Sequence, residues 1–165
     1  MGLTGVEELS VWRKWIVIAP VSLSIALLVS SCEDQVTQCQ RLIQVVNAGN
    51  SLIDQNKGEQ VITSLQLSRD LQAITQSLEK LNLTDPNLKE FKRNFASIFK
   101  NMSEAIAQAS LALGAAKSAE ASPAGRETLE QARNEIDTSL TSAQSAGKQS
   151  DILAEDLNKY CRRSQ

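Results

Sequence analysis

Cys32, Cys39 and Cys161 are the residues with the widest chemistry open to them in this 165-residue chain. A thiol can carry a thioether-linked group, close a disulfide or act as a nucleophile, and the last role needs a base placed beside it. The chain has no histidine, which removes the commonest general base, the usual haem ligand and the Glu-x-x-His di-iron pattern together. Carboxylates are the next candidates. Asp151 and Glu155 stand four apart, a spacing that puts both on one helix face, where such a pair can line a metal or glycosidase site. Their neighbours Ser150, Leu153 and Leu157 fit the apolar stripe of that helix, so the two acids read as a solvated face. Lys89, Lys92, Arg93 and Lys100 form a basic strip, and Arg162 and Arg163 lie close to the C-terminus. Charges so placed serve as ordinary surface or draw a protein toward anionic headgroups. The formal net charge of −2 speaks against nucleic acid, which calls for a basic balance. No cofactor pattern, metal pattern or catalytic signature emerges, and the expectation is a protein that is not an enzyme.

Cys32 stands apart because of what precedes it. Arg13 and Lys14 abut an apolar run over residues 15–29. That run is shorter than the ~20 residues a spanning helix needs, and it carries a proline and two serines. Positive charge at its start holds that end inside the cell. The run closes on Val29-Ser30-Ser31-Cys32, which resembles the bacterial lipobox. The resemblance implies cleavage between Ser31 and Cys32 by the lipoprotein signal peptidase. It also implies a diacylglycerol thioether on Cys32, and a protein held on the cell membrane or outer membrane with its body on the periplasmic or extracellular side. The overall pattern is also similar to short helical lipoproteins of cyanobacteria. An uncleaved single-pass anchor is the alternative for the same stretch. Residues 1–31 are thus expected to be a signal peptide and residues 32–165 the exported domain. The first part takes two acids and two bases with it, along with Trp12 and Trp15, so the remainder keeps its net charge of −2 and a largely aliphatic core.

The exported part reads as four helices, because apolar residues recur at steps of three and four and no segment alternates with period two. The first stripe is Val36, Cys39, Ile43, Val46 and Ile53, interrupted at Lys57-Gly58. A second stripe follows at Val61, Leu65, Leu71, Ile74, Leu78 and Leu81. Asp85-Pro86 and Ser122-Pro123 each offer a capping oxygen followed by a proline at the first helical position. The helices they start carry Leu88, Phe91, Phe95, Ile98, Met102, Ala105, Ala109, Leu113 and Ala116, and then Leu129, Ala132, Ile136, Leu140, Ala143, Ala146, Ser150, Leu153, Leu157 and Tyr160. The steady alternation favours a coiled-coil-like seam. Short connections make successive helices antiparallel, so the fold class expected is all-α, an elongated up-down-up-down four-helix bundle.

Two short helices followed by two long ones make the second hairpin overshoot the first, over residues 109–133. This finger is distal, acidic and seamed by alanine, which buries little area. It is the expected site for a protein partner, with Glu120, Ser122, Arg126, Glu127 and Glu130 at its tip. With Cys32 assigned to lipid, Cys39 and Cys161 remain as a pair in a compartment where disulfides persist. Four antiparallel helices return the chain to its starting end, bringing the two within bonding reach. Two free thiols packed in the seam are the alternative. The functional expectation is a lipid-anchored, non-catalytic binding or structural module at the cell envelope. The alternatives are a bundle binding an apolar ligand between its helices, or an enzyme with a carboxylate-based site.

Overall fold

A computed structural model of the protein describes residues 34–56 and 61–163, without the side chains of 61–63. The lipobox, its cleavage site, the Lys57-Gly58 break and the side chain of Val61 lie outside the described residues. The chain divides between Cys32 and Glu33, and the account below concerns the second unit.

Four helices make up that unit: α1 over Gln35–Gln55, α2 over Val61–Lys80, α3 over Pro86–Ser118 and α4 over Pro123–Arg162. No strand occurs among the described residues. Three of the starts have a local cause. Asp34 accepts the Thr37 amide at 2.7 Å, Asp85 accepts that of Leu88 at 2.9 Å, and Ser122 accepts that of Gly125 at 3.0 Å. Pro86 and Pro123 occupy the first turns of α3 and α4, where a missing N–H costs nothing. The α2 terminus is closed from outside, since the Lys92 ammonium donates to the Leu81 carbonyl at 3.1 Å and to that of Glu79 at 3.4 Å.

The helices pack as an up-down-up-down bundle, α1 against α2, α2 against α3, α3 against α4, and α4 back against α1. The bundle is sheared, because α1 also meets α3 across the diagonal while, among the described residues, the backbones of α2 and α4 stay further apart. That diagonal approach requires Gly49, where an added Cβ would come within 2.7 Å of Phe99 Cζ. The centre is filled by Leu42, Leu71, Leu78, Leu88, Phe95, Phe99 and Leu157, all at 0 to 1% exposure. Phe99 and Leu42 fall off the stripes drawn from spacing alone. A helix with three neighbours, as α3 has, buries a wider face than a two-helix seam predicts. Leu65, Leu129 and Leu140 depart the other way, at 36%, 45% and 56% exposed, and Ser139 takes the buried place expected of Leu140.

At 1.5 Å per residue the helices are ~32, ~30, ~50 and ~60 Å long. Cross-links between them set where the short pair stops. The Ser68 hydroxyl donates to the Ser103 carbonyl at 2.9 Å, and α2 begins seven residues before Ser68, opposite about residue 110. Ser150 donates to Asn50 Oδ1 at 3.1 Å, and α1 ends five residues past Asn50, opposite about residue 145. Beyond those points, among the described helices, only α3 and α4 continue, as a hairpin. On the α1 side it reaches about ten residues further down α4 than expected, because α1 ends only five residues past its bond to Ser150.

Candidate functional site: the clasped base and the distal hairpin

The end of the bundle where α1 starts and α4 finishes is tied together by several independent bonds. Cys39 and Cys161 form a disulfide, with Cα atoms 5.8 Å apart across 122 residues of sequence. Both are buried, at 3% and 4% exposure, and the pairing expected from helix count is the one present. One residue before Cys39, the Gln38 side chain reaches into the α2–α3 loop. Its carbonyl oxygen accepts the amides of Thr84 at 2.6 Å and Asp85 at 3.1 Å, and its amide donates to Thr84 Oγ1 at 2.8 Å. One residue before Cys161, the Tyr160 hydroxyl donates to the Asp85 carboxylate at 3.0 Å and accepts from Asn87 Nδ2 at 3.0 Å, while its ring lies 5.9 Å from that of Phe91. Asp85 therefore caps α3 and holds the end of α4 at once. Sequence alone marks Asp85 as a cap. It carries no signal for Gln38, a polar residue whose burial follows only from the loop that folds over it.

One cluster of exposed charges near this end is committed to itself. Glu155 and Lys159 are 2.8 Å apart. Their hydrogen bond, and then their mutual attraction, hold the Glu155 carboxyl below its ordinary value and push the Lys159 ammonium up. Asp34 is also held below its ordinary value, first by the Thr37 side chain and then by the Thr37 backbone. Asp151 and Glu155 converge on no shared site, since Glu155 turns to Lys159 and Asp151 lines a different cleft. Among the described residues, no group of three or more His, Cys, Asp or Glu could hold a metal ion, and no helix is long and apolar enough to cross a membrane. Within the basic strip, Lys92 is spent on the α2 carbonyls and Lys100 approaches Glu104 at 4.0 Å. Lys89 and Arg93 remain exposed.

At the opposite end, Ser122 is half-buried and structural, whereas Glu120, Arg126, Glu127 and Glu130 are exposed as expected. Ser122 also bonds through its own amide to the Glu120 carbonyl at 2.8 Å. The turn is tight enough that a Cβ on Gly125 would overlap that same carbonyl. Where α1 stops, a cleft of about 460 Å³ opens between Asn50, Ile53 and Asp54 of α1, Met102 and Ile106 of α3, and the stretch of α4 from Ala143 to Asp151. Above it, Leu111, Leu129 and Leu140 are exposed. What the arrangement presents among the described residues is a fastened base and a projecting two-helix surface. Compared with known proteins, the chain matches no family model, no curated protein and no solved structure.

Proposed function

We propose that this protein is a bacterial lipoprotein, anchored in a membrane through lipid on Cys32. Its exported helical bundle acts as a non-catalytic binding or structural module of the cell envelope, and the distal hairpin is the element that meets a protein partner. The observation that carries the reading is the buried Cys39–Cys161 disulfide. A bond of this kind persists in an oxidising compartment outside the cytoplasm, which is where a signal ending in Val29-Ser30-Ser31-Cys32 would deliver the chain. The bond closes the end of the bundle next to Cys32 in sequence and leaves the far hairpin unfastened. A module is preferred to an apolar-ligand carrier because the centre of the bundle is filled by Phe95, Phe99 and five aliphatic side chains with almost no exposure, and the cleft where α1 stops is edged by Asn50, Asp54, Lys148 and Asp151. It is preferred to a carboxylate enzyme because Asp151 and Glu155 have separate surroundings.

The test is expression in a bacterial host with an alkyne-tagged fatty acid. The wild type should incorporate the label, lose residues 1–31 by mass and, lacking Trp12 and Trp15, fluoresce as a tyrosine protein. Cys32→Ala should remain unlabelled at precursor mass. A wild type that keeps both tryptophans and takes up no lipid overturns the reading.

A further inference from the structure

Two heptad lines on the long helices show which face of the hairpin lacks a neighbour. On α4, steps of seven link Cys161, Ala154, Gly147, Leu140, Arg133 and Arg126. The lower members face α1, since Cys161 is bonded to Cys39 and Gly147 lines the cleft with Asn50 and Ile53. On α3, steps of seven link Phe99, which packs on Gly49 of α1, with Ile106 in the cleft and Leu113 on the hairpin. The repeat is the right one to follow, since α4 buries Gly125, Ala132, Ser139 and Ala146 at the same interval. Above the end of α1, no third helix among the described residues packs on either line, and Leu113 is only half-buried. Leu140 there is 56% exposed, and Leu129, about three turns nearer the tip, 45%.

Charges along the edge of this face have a particular order. Arg126, Glu130, Arg133 and Asp137 alternate in sign, and all four are exposed. The i, i+4 spacing would allow Arg126 to pair with Glu130 and Arg133 with Asp137, yet none of the four makes an ion pair among the described residues. The order inverts about a point between Gln131 and Ala132. A second α4 laid antiparallel across that point sets Arg126 opposite Asp137 and Glu130 opposite Arg133, twice over. The same point lies midway between Glu120 at the tip and Ala143 at the cleft, so the tip of each hairpin arrives at the cleft of the other.

From these observations we infer that the occupant of this face is a second copy of the chain, joined through an antiparallel two-fold pairing of the distal hairpins. The pairing rests on the proposed role of the hairpin as the binding element and names its partner. It completes, from two halves, the four-helix cross-section that α1 and α2 provide lower down. Residues 123–143 span ~30 Å, and two helices are ~20 Å across, so each copy buries ~600 Å² and the pair ~1,200 Å², the lower bound for a specific interface. Association is therefore weak in solution and strengthened by concentration on a surface. Because the hairpins run antiparallel, the two bases point in opposite directions, and the dimer joins two facing membranes.

The experiment uses the full chain, first purified in detergent and then in phosphatidylglycerol-containing vesicles. Two variants are compared with wild type: Arg126→Glu with Arg133→Glu, and Glu130→Arg with Asp137→Arg. Circular dichroism checks that each keeps its helicity, as exposed charges without partners should allow. Wild-type copies carrying donor and acceptor dyes should associate. Each variant alone, facing four like-charge contacts, should bind itself at least about ten-fold more weakly, and the two mixed should recover wild-type affinity. Wild-type vesicles should cluster, as should vesicles of the two variants combined, whereas vesicles of either variant alone should not. A wild type that stays monomeric, variants that associate like wild type, or association within one vesicle without clustering each overturns the pairing. The proposed function is judged separately, by lipid on Cys32.

Discussion

Gly49 gives the sharpest prediction at the level of single residues, because two effects on it have opposite signs. In an isolated helix, alanine is favoured over glycine by ~1 kcal/mol. Here the added methyl would meet the ring of Phe99 at 2.7 and 2.9 Å, and Phe99 is fully buried with no free direction to move. Overpacking of this kind costs ~1–3 kcal/mol, so Gly49→Ala should lower stability in a urea titration, whereas a gain would show that α1 and α3 are less closely approached. Asp34 gives a pH dependence. Its folded value lies below the ordinary 3.8, so its contribution is complete above that value and is lost as pH falls through the depressed one. The advantage of wild type over Asp34→Ala in thermal melts should be full near neutrality and shrink only below about pH 3.8. An advantage that peaks at alkaline pH would show that the cap is not the source.

Among the elements, the contrast lies between the α2–α3 loop and the distal hairpin. The loop is held from α1 by Gln38, which satisfies two backbone amides and is 2% exposed. Gln38→Ala removes both bonds to amides that are only part-buried, Thr84 and Asp85, and should cost ~1–2 kcal/mol. Gln38→Glu keeps the acceptor oxygen and should recover part of it at neutral pH. In the hairpin, the buried residues of the seam are Ser110, Ala112, Gly125, Ala132 and Ser139, and side chains this small contribute little apolar area. Amide exchange should therefore be fastest over residues 111–140 and slowest around Leu42, Leu78 and Phe95. Equal protection in both places would make the hairpin a rigid strut. Its turn depends on Gly125, and Gly125→Ala should raise exchange at the tip while leaving the base unchanged.

For the whole molecule, the disulfide decides how the chain is closed. It joins residues 122 apart, and in the chain-entropy account a loop of that length is worth ~4–5 kcal/mol, through restriction of the unfolded state. Reduction, or Cys161→Ser, should lower the melting temperature and loosen the α1–α4 contact first. The loop and the Tyr160–Asp85 bond should persist, since they need no sulfur bridge to form. An unchanged melting temperature on reduction would mean that the packing alone fixes the end of α4. The bond also explains why so slight an element as α1 stays in place against two helices nearly twice its length.

Much of this organisation was already legible in the residues. The capping pairs Asp85-Pro86 and Ser122-Pro123 start α3 and α4 where local chemistry dictates, the three-and-four spacing makes the chain helical, and an even count of helices puts Cys39 beside Cys161. These are local or purely topological matters, settled by near neighbours or by counting. Which leucines are buried is neither. Leu140 and Ser139 differ by one step around the helix, and only the position of α3 decides that the serine faces inward. Gly49 became indispensable when the bundle sheared and brought α1 onto Phe99. Gln38 became buried only when the α2–α3 loop crossed it. The uncovered face of the hairpin exists because α1 ends opposite residue 145, a fact about relative length and register that no single helix contains. Sequence fixes what each helix prefers, and the tertiary structure decides what each helix meets, because packing is a property of pairs.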